Sequence, residues 1–355
     1  MEGKTAAQSG RNGGNRLRKE FGCSGCTWET ENGRHLMGRT YDQFGSLDDN
    51  KIAVIPRSSR LRLEISPESQ SYADVRYAYA GMAVLGLDTP IMVDGINEKG
   101  LMGALLNFPG YADYSAQQNG AGRRIHPGFL ITCLLGECGS VEDVVKQLAQ
   151  IRLTEELIFG HTMSVHYMFS DASGETVIVE PDRDGLTVHR QTIGVMTNSP
   201  GYEWHLTNLS NYMGVTNLPR ESRQIGGKQI SVFGERQGGS MGLPGDYTSP
   251  SRFVRMTFMK EYAVRGKDEL DGVSRMFHLF STVDIPEGII KAGEAVEDYE
   301  QTLCTSAMCA ESRTYYFATA KNRRISAVRL DRELANPEIR YYDLPQKEDI
   351  QYLNE

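Results

Sequence analysis

The sequence predicts an α+β protein built from two mainly antiparallel sheets covered by helices. Three observations point there: strand-like segments cluster toward both ends of the chain, helical segments come in pairs between them, and no internal repeat or linker divides the sequence. At 355 residues the chain is long enough to bury one large core or two modest ones.

The elements follow in order. Residues 1–20 are rich in Gly, Asn, Ser, Gln, Arg and Lys, with little to bury, and are expected to be disordered. Lys4, Arg11, Arg16, Arg18 and Lys19 are not followed by an apolar stretch, so the segment does not read as a secretory signal. From Cys23 the pattern changes. Two β-favouring runs flank Glu31-Asn32-Gly33, and the Asn-Gly step predicts a hairpin. Strand signals continue at Ile52-Ala53-Val54-Ile55 and Arg76-Tyr77-Ala78-Tyr79-Ala80. A turn over 94–100 leads into a buried strand over 101–106. The apolar run over 129–135 predicts a buried helix, and Ser140-Val141-Glu142-Asp143 a capped amphipathic helix through Leu148. Runs over 166–171, 176–180 and 185–189 predict a meander turning at Ala172-Ser173-Gly174. Helices are expected over 251–262, just after Pro250, and over 268–280, with strands over 313–320 and 324–330.

Composition narrows the function. A formal charge of -8 advertises no basic face, which argues against a nucleic-acid partner. No window approaches the roughly 20 apolar residues of a membrane span. The six cysteines form three close pairs, 23/26, 133/138 and 304/309, and a reduced cytoplasmic protein is the expectation. Cys23-Ser24-Gly25-Cys26 has the spacing of a redox pair or half a zinc site, but no His stands at ligand spacing and the motif opens a strand. In an extended segment residues three apart face opposite ways, so Cys23 and Cys26 would not share a site.

Cys23 is the more informative of the two. It follows a segment that looks disposable, and Gly22 puts no side chain beside the bond between them. Cleavage there would leave a thiol and a free α-amine on one residue. The amine, with an ordinary pKa of about 7.7–8.0, can take the thiol proton near neutral pH, which a peptide nitrogen cannot do. Arg39 and Asp42 lie across the hairpin, where the carboxylate would orient the new ammonium and the guanidinium would lower the thiol pKa. The bland readings are a strand-start thiol and a surface ion pair. His205, after Trp204, offers a Cys-His alternative that still lacks its third, orienting group. Asn198 before Ser199-Pro200 is also a turn residue, Asn107 a strand cap, and Arg252 a solvated charge in the first turn of a helix.

Several ordered blocks go beyond composition: Gly22-Cys23-Ser24, Arg39-Thr40-Tyr41-Asp42, Asp94-Gly95-Ile96-Asn97-Glu98-Lys99-Gly100-Leu101, Gly194-Val195-Met196-Thr197-Asn198-Ser199-Pro200, Gly242-Leu243-Pro244-Gly245-Asp246-Tyr247-Thr248, Ser251-Arg252-Phe253 and Tyr315-Tyr316-Phe317. From about Gly22 to the C-terminus the chain resembles the choloylglycine hydrolase family, the penicillin V acylases and conjugated bile salt hydrolases. The resemblance implies a four-layer αββα sandwich of the N-terminal nucleophile hydrolase type, a leader at 1–22 that is removed, and one catalytic domain over 23–355. It implies that Cys23 attacks an amide carbonyl with its own amine as base and that Asp42 binds that amine. Arg39 would sit beside the thiol, Asn198 would donate to the oxyanion with help at Asn107, and Arg252 would complete the network. No metal or organic cofactor is implied, and the partners are a small-molecule acyl amide and further copies of the chain, as a homotetramer. Two departures stand out: a leader longer than in many members, and Tyr41 where Met is frequent. Asn107 leans toward bile salts, whereas the segment from Arg190 through His205 leans toward the acylases. The overall likeness favours a penicillin V acylase-like amidase, with a bile salt hydrolase, or a weakly active binder of acyl amides and acyl homoserine lactones, as alternatives.

Overall fold

A computed structural model describes residues 22–117, 121–158, 160–232, 239–294 and 296–354. The disorder expected over 1–20 lies outside these residues. In chain order the strands that build the two main sheets are β1 (Cys23–Glu29), β2 (His35–Phe44), β3 (Asn50–Ile55), β4 (Tyr79–Val84), β5 (Asp94–Asn97), β6 (Met102–Asn107) and β7 (Val165–Ser170). They continue with β8 (Thr176–Asp182), β9 (Gly185–His189), β10 (Val195–Met196), β11 (Val296–Cys309), β12 (Thr314–Thr319), β13 (Ser326–Arg329) and β14 (Arg340–Asp343). The helices are α1 (Leu130–Glu137), α2 (Val141–Leu148), α3 (Tyr202–Leu209), α4 (Ser249–Tyr262) and α5 (Glu269–Phe280).

One sheet runs β10-β1-β2-β11-β12-β13, with Ile290–Gly293 paired to β11; the other runs β9-β8-β7-β6-β5-β4-β3-β14, with Ile91–Met92 paired to β4. Every pairing within both sheets is antiparallel. Helices α4 and α5 pack on the first sheet, α1 packs on β5 and β6 of the second, and the sheets face each other between them. This is the four-layer αββα sandwich. A strand inside such a stack is covered on both sides, which is why six consecutive residues of β1 are buried rather than every second one.

Local chemistry sets the element ends. Between β1 and β2, Thr30 N–H donates to Arg34 O and Gly33 N–H to Thr30 O, with Gly33 at φ 75°, so the Asn-Gly step serves a three-residue loop whose last position needs glycine. Ser140 and Asp268 cap α2 and α5 through the N–H groups of Asp143 and Asp271. Helix α4 begins at Ser249, two residues before the expected start, with Pro250 in its first turn. Five of these elements were not anticipated: β10, β11, β14 and α3, together with β5, which makes Asp94–Asn97 a paired strand where a turn was expected. The 14-residue β11 carries charged residues in its first half and an extra residue at Leu303, so it lacks clean alternation. Helix α3 starts at Tyr202 after Gly201, which supplies no side-chain cap. Among the described residues no helix is long and apolar enough to cross a membrane.

Candidate active site

Cys23 is the first residue of β1 and lies opposite Tyr41, which lies opposite Cys304 of β11. Cross-strand partners share a face, so Cys23, Arg39 and Tyr41 look into the space between the sheets. There Arg39 Nη2 donates to Cys23 Sγ at 2.8 Å, and its Nε to Thr40 O at 3.0 Å. Arg39 Nη1 stands 3.9 Å from Asp94 Oδ2 on β5 of the facing sheet. Asp94 is fixed in turn by Tyr315 Oη and Ser306 Oγ, each donating at 2.7 Å. The Arg39 guanidinium also lies 4.9 Å from the centre of the Tyr41 ring. With 1% of its surface exposed, Arg39 is held through Nε and Nη2, directs one N–H at the sulfur, and leaves Nη1 in ion-pair range of Asp94 without a hydrogen bond.

The opposite face of the sheet turns toward α4. Asp42 Oδ1 accepts from Thr302 Oγ1 at 2.6 Å, and Oδ2 from Thr40 Oγ1 at 3.1 Å. Thr40 Oγ1 also accepts the Ser24 N–H at 3.0 Å. Thr302 pairs with Asp42, and Leu303 then bulges so that Cys304 pairs with Tyr41. The bulge is what lets Thr302 face the helices while Cys304, two residues on, faces inward.

Arg252, in the first turn of α4, holds the main chain of the thiol-bearing residue. Its Nη1 donates to Cys23 O at 2.5 Å and to Ser24 Oγ at 2.8 Å, and its Nη2 to Asn198 Oδ1 at 2.7 Å. The same Oδ1 accepts the Cys23 N–H at 2.9 Å. Two donors converging on one atom fix the Asn198 amide orientation. Its Nδ2 therefore points the other way and donates one hydrogen to Asn107 O at 2.8 Å. Asn107 enters the network through its main-chain carbonyl at the end of β6. The Asn198 loop is also held from behind: His205 Nε2 donates to Asn198 O at 2.9 Å and His166 Nε2 to Thr197 O at 3.0 Å.

Electrostatics follow from this packing. Burial pushes the Cys23 thiol pKa up, Arg39 pulls against it, and Asp42 acts both ways, raising it by charge and lowering it through a main-chain hydrogen bond. Burial likewise raises the Asp42 carboxyl against the opposing charge of Arg252. His205, stacked on Phe253 at 4.5 Å, is lowered to about 4 by burial and serves the Asn198 carbonyl, not the thiol. Cys26 lies opposite Gly38, on the helix-facing side beside Lys260, so the two cysteines of the CxxC do point apart. Trp204 is 46% exposed on the outer side of α3.

The six residues singled out from sequence thus converge, five through side chains and Asn107 through its carbonyl. Sequence reasoning missed Ser24, Thr40 and Asp94 although each stands in a quoted motif, and missed Thr302 and Glu300 because β11 was not anticipated. Among the described residues no group of three or more His, Cys, Asp or Glu side chains is arranged to hold a metal. Chemically, the site offers a sulfur nucleophile beside a permanent cation, with an amide N–H donor and a guanidinium fixing the main chain around it.

The family model for linear amide C–N hydrolases, choloylglycine hydrolase family, matches residues 23–342. A bile salt hydrolase/transferase of Clostridium perfringens is 32% identical over 336 residues, covering 94% of this chain and 100% of that protein. The crystal structure of a mutant conjugated bile acid hydrolase from Clostridium perfringens superposes with a TM-score of 0.84 at 31% identity, covering 94% of this chain and 100% of that one. A penicillin V acylase of Pectobacterium atrosepticum is 26% identical over 216 residues, 55% of this chain and 50% of that protein.

Proposed function

Because the chain belongs to the choloylglycine hydrolase family of linear amide C–N hydrolases, we propose that this hydrolase releases glycine or taurine from conjugated bile salts, with Cys23 as nucleophile once residues 1–22 are removed. The observation that carries the mechanism is the Arg39 N–H held 2.8 Å from Cys23 Sγ, with the Cys23 N–H and C=O pinned by Asn198 and Arg252. The substrate reading supersedes the acylase-first expectation. Relatives named for bile salts match over nearly the whole chain, and the penicillin V acylase over about half, at lower identity. Asn107 in Leu106-Asn107-Phe108-Pro109 supports the same choice.

In the proposed cycle the freed Cys23 amine, held by Asp42 and Asn198 Oδ1, takes the thiol proton, and the sulfur adds to the scissile carbonyl carbon. The second Nδ2 hydrogen of Asn198 meets the developing oxyanion. The C–N bond breaks as the Cys23 ammonium protonates the leaving amine, and a thioester remains. Water, deprotonated by the same amine, then hydrolyses the thioester and restores the thiol. Arg39 stabilises the sulfur anion and Arg252 holds Cys23 and Asn198 in register. The reading extends to a homotetramer, supported by the family resemblance alone and open to test by light scattering on the purified enzyme, and to a cytoplasmic location, supported by the cysteine pattern alone.

The test is initial-rate hydrolysis of glyco- and tauro-conjugated bile salts, penicillin V and long-chain acyl homoserine lactones. Bile conjugates are expected to give the highest kcat/KM. Turnover confined to penicillin V would sink the substrate assignment, and saturable binding without any turnover would turn the protein into a binder.

A further inference from the structure

One buried carboxylate stands beside the site but takes no part in the proposed cycle. Glu300, on β11 and 6% exposed, accepts the N–H of Gly22, the residue that immediately precedes the nucleophile. A Cβ placed on Gly22 would lie 2.5 Å from Glu300 Oε1, 3.1 Å from Arg252 Nη2 and 3.4 Å from Asp42 Oδ2. Strands β2 and β11 and helix α4 each contribute one of these groups. The space fits a glycine with its N–H turned to the carboxylate, and a side chain there would have to push the Glu300 carboxylate away.

From this cradle, and resting on the reading that Cys23 matures by loss of residues 1–22, we infer that Glu300 is a positioning residue for maturation that makes glycine a requirement before the cleaved bond. The step it serves balances as follows. Cys23 Sγ adds to the Gly22 carbonyl carbon, the Gly22–Cys23 C–N bond breaks, and the thiol proton passes to the Cys23 nitrogen. Water then cleaves the thioester to give a Gly22 carboxylate and the free thiol. With Gly22 N–H bound to Glu300 and Cys23 N–H bound to Asn198 Oδ1, the donors on both sides of the scissile carbonyl are anchored. The carbonyl is thereby held beside the sulfur.

The experiment follows leader loss in the full-length chain by intact mass over time, with a thermal melt on each variant to verify folding. Gly22→Ala is expected to slow conversion by about ten-fold or more, because the methyl displaces the carboxylate and a charge-assisted hydrogen bond is lost. Glu300→Ala alone is expected to slow conversion as well. Adding Glu300→Ala to Gly22→Ala reopens the space, so the double variant should convert several-fold faster than Gly22→Ala, a rescue that independent losses of stability at the two positions would not produce. Conversion of Gly22→Ala at the wild-type rate, or a double variant no faster than Gly22→Ala, overturns the inference while leaving maturation intact. A wild-type chain that hydrolyses amides with residues 1–22 attached overturns the maturation reading itself, and the inference with it.

Discussion

Asn198 carries two roles in the proposed cycle, and a pair of substitutions separates them. Its Oδ1 is an acceptor for Cys23 N–H at 2.9 Å and Arg252 Nη2 at 2.7 Å; its Nδ2 donates to Asn107 O at 2.8 Å with one hydrogen and keeps the other for the oxyanion. Asn198→Ala deletes both functions. Asn198→Asp preserves the shape and both Oδ1 contacts but replaces the donor by an oxygen that faces the Asn107 carbonyl. Loss of one preorganised oxyanion donor lowers kcat by about 10²–10³, or ~2.7–4 kcal/mol in the barrier. The aspartate adds repulsion toward the developing negative charge, so it should be at least as damaging as alanine despite being the better structural mimic. Because the donor acts in the transition state, KM should move little in either variant. The assay is steady-state release of glycine from a glyco-conjugated bile salt, with rates normalised to the fraction of chain that intact mass shows to begin at Cys23. If Asn198→Asp recovers activity well above Asn198→Ala, the side chain matters as an acceptor for Cys23 and Arg252. The oxyanion argument would then be refuted.

Three further outcomes follow from the geometry. Removing the Arg39 cation takes away the charge that opposes the burial of Cys23, so in Arg39→Leu the pH midpoint of thiol alkylation should move upward and kcat should fall; an unmoved midpoint would show that Arg39 does not tune the thiol. Glu180 is raised by burial but held down more strongly by hydrogen bonds from His166 and His189, to about 2 from the usual 4.5, so its charged form favours the folded chain. That contribution, about 3 kcal/mol, is complete above pH ~4.5 and lost as pH falls toward 2. Melting temperature measured from pH 6 to pH 2 should therefore drop less steeply below pH ~4.5 in Glu180→Gln than in the wild type, and parallel curves would contradict this. Gly38 allows α5 to lie against β2: a methyl there would meet Ser306 O at 2.6 Å and Met276 Sδ at 2.8 Å, so Gly38→Ala should destabilise the fold by at least about 1–3 kcal/mol in denaturant melts.

The parts of this structure that could be read from sequence are those with local causes. The Asn-Gly step marked the β1–β2 hairpin, Ser140 and Asp268 marked helix starts through their own side chains, and the hairpin brought Arg39 and Asp42 back to Cys23. What escaped is non-local. Strand β11 sits at the centre of its sheet, but its first half has the composition of an exposed segment, and the bulge at Leu303 breaks the two-residue period. With it went Thr302, which holds Asp42, and Glu300, which holds Gly22. The acylase-first expectation, which the named relatives support less well than the bile salt alternative, leaned partly on the segment from Arg190 to His205. In the structure the end of that segment is the start of helix α3, which packs Tyr202 and His205 behind the Asn198 loop. Residues there are shaped by packing against the site and say little about what enters it.

The same geometry bears on why such a nucleophile would be latent before cleavage. The Cys23 thiol is fully buried, which favours its neutral form, and the nearest opposing charge, Arg39, is itself partly answered by Asp94 and Asp42. While Cys23 N is a peptide nitrogen it contributes no charge and no base, and its hydrogen is bound to Asn198. In the proposed cycle, cleavage changes that balance at one atom: an amine appears two bonds from the carbon that bears the sulfur, and in its ammonium form it adds a second cation beside Arg39. Attack on Gly22 can proceed without this help because nucleophile and carbonyl belong to adjacent residues and need no encounter. Attack on an external amide lacks that advantage and depends on the amine that maturation supplies. In that cycle, charge at Cys23 separates the precursor from the enzyme. The Arg39→Leu alkylation profile, taken on chains with and without residues 1–22, should accordingly show a lower midpoint in the cleaved form of each.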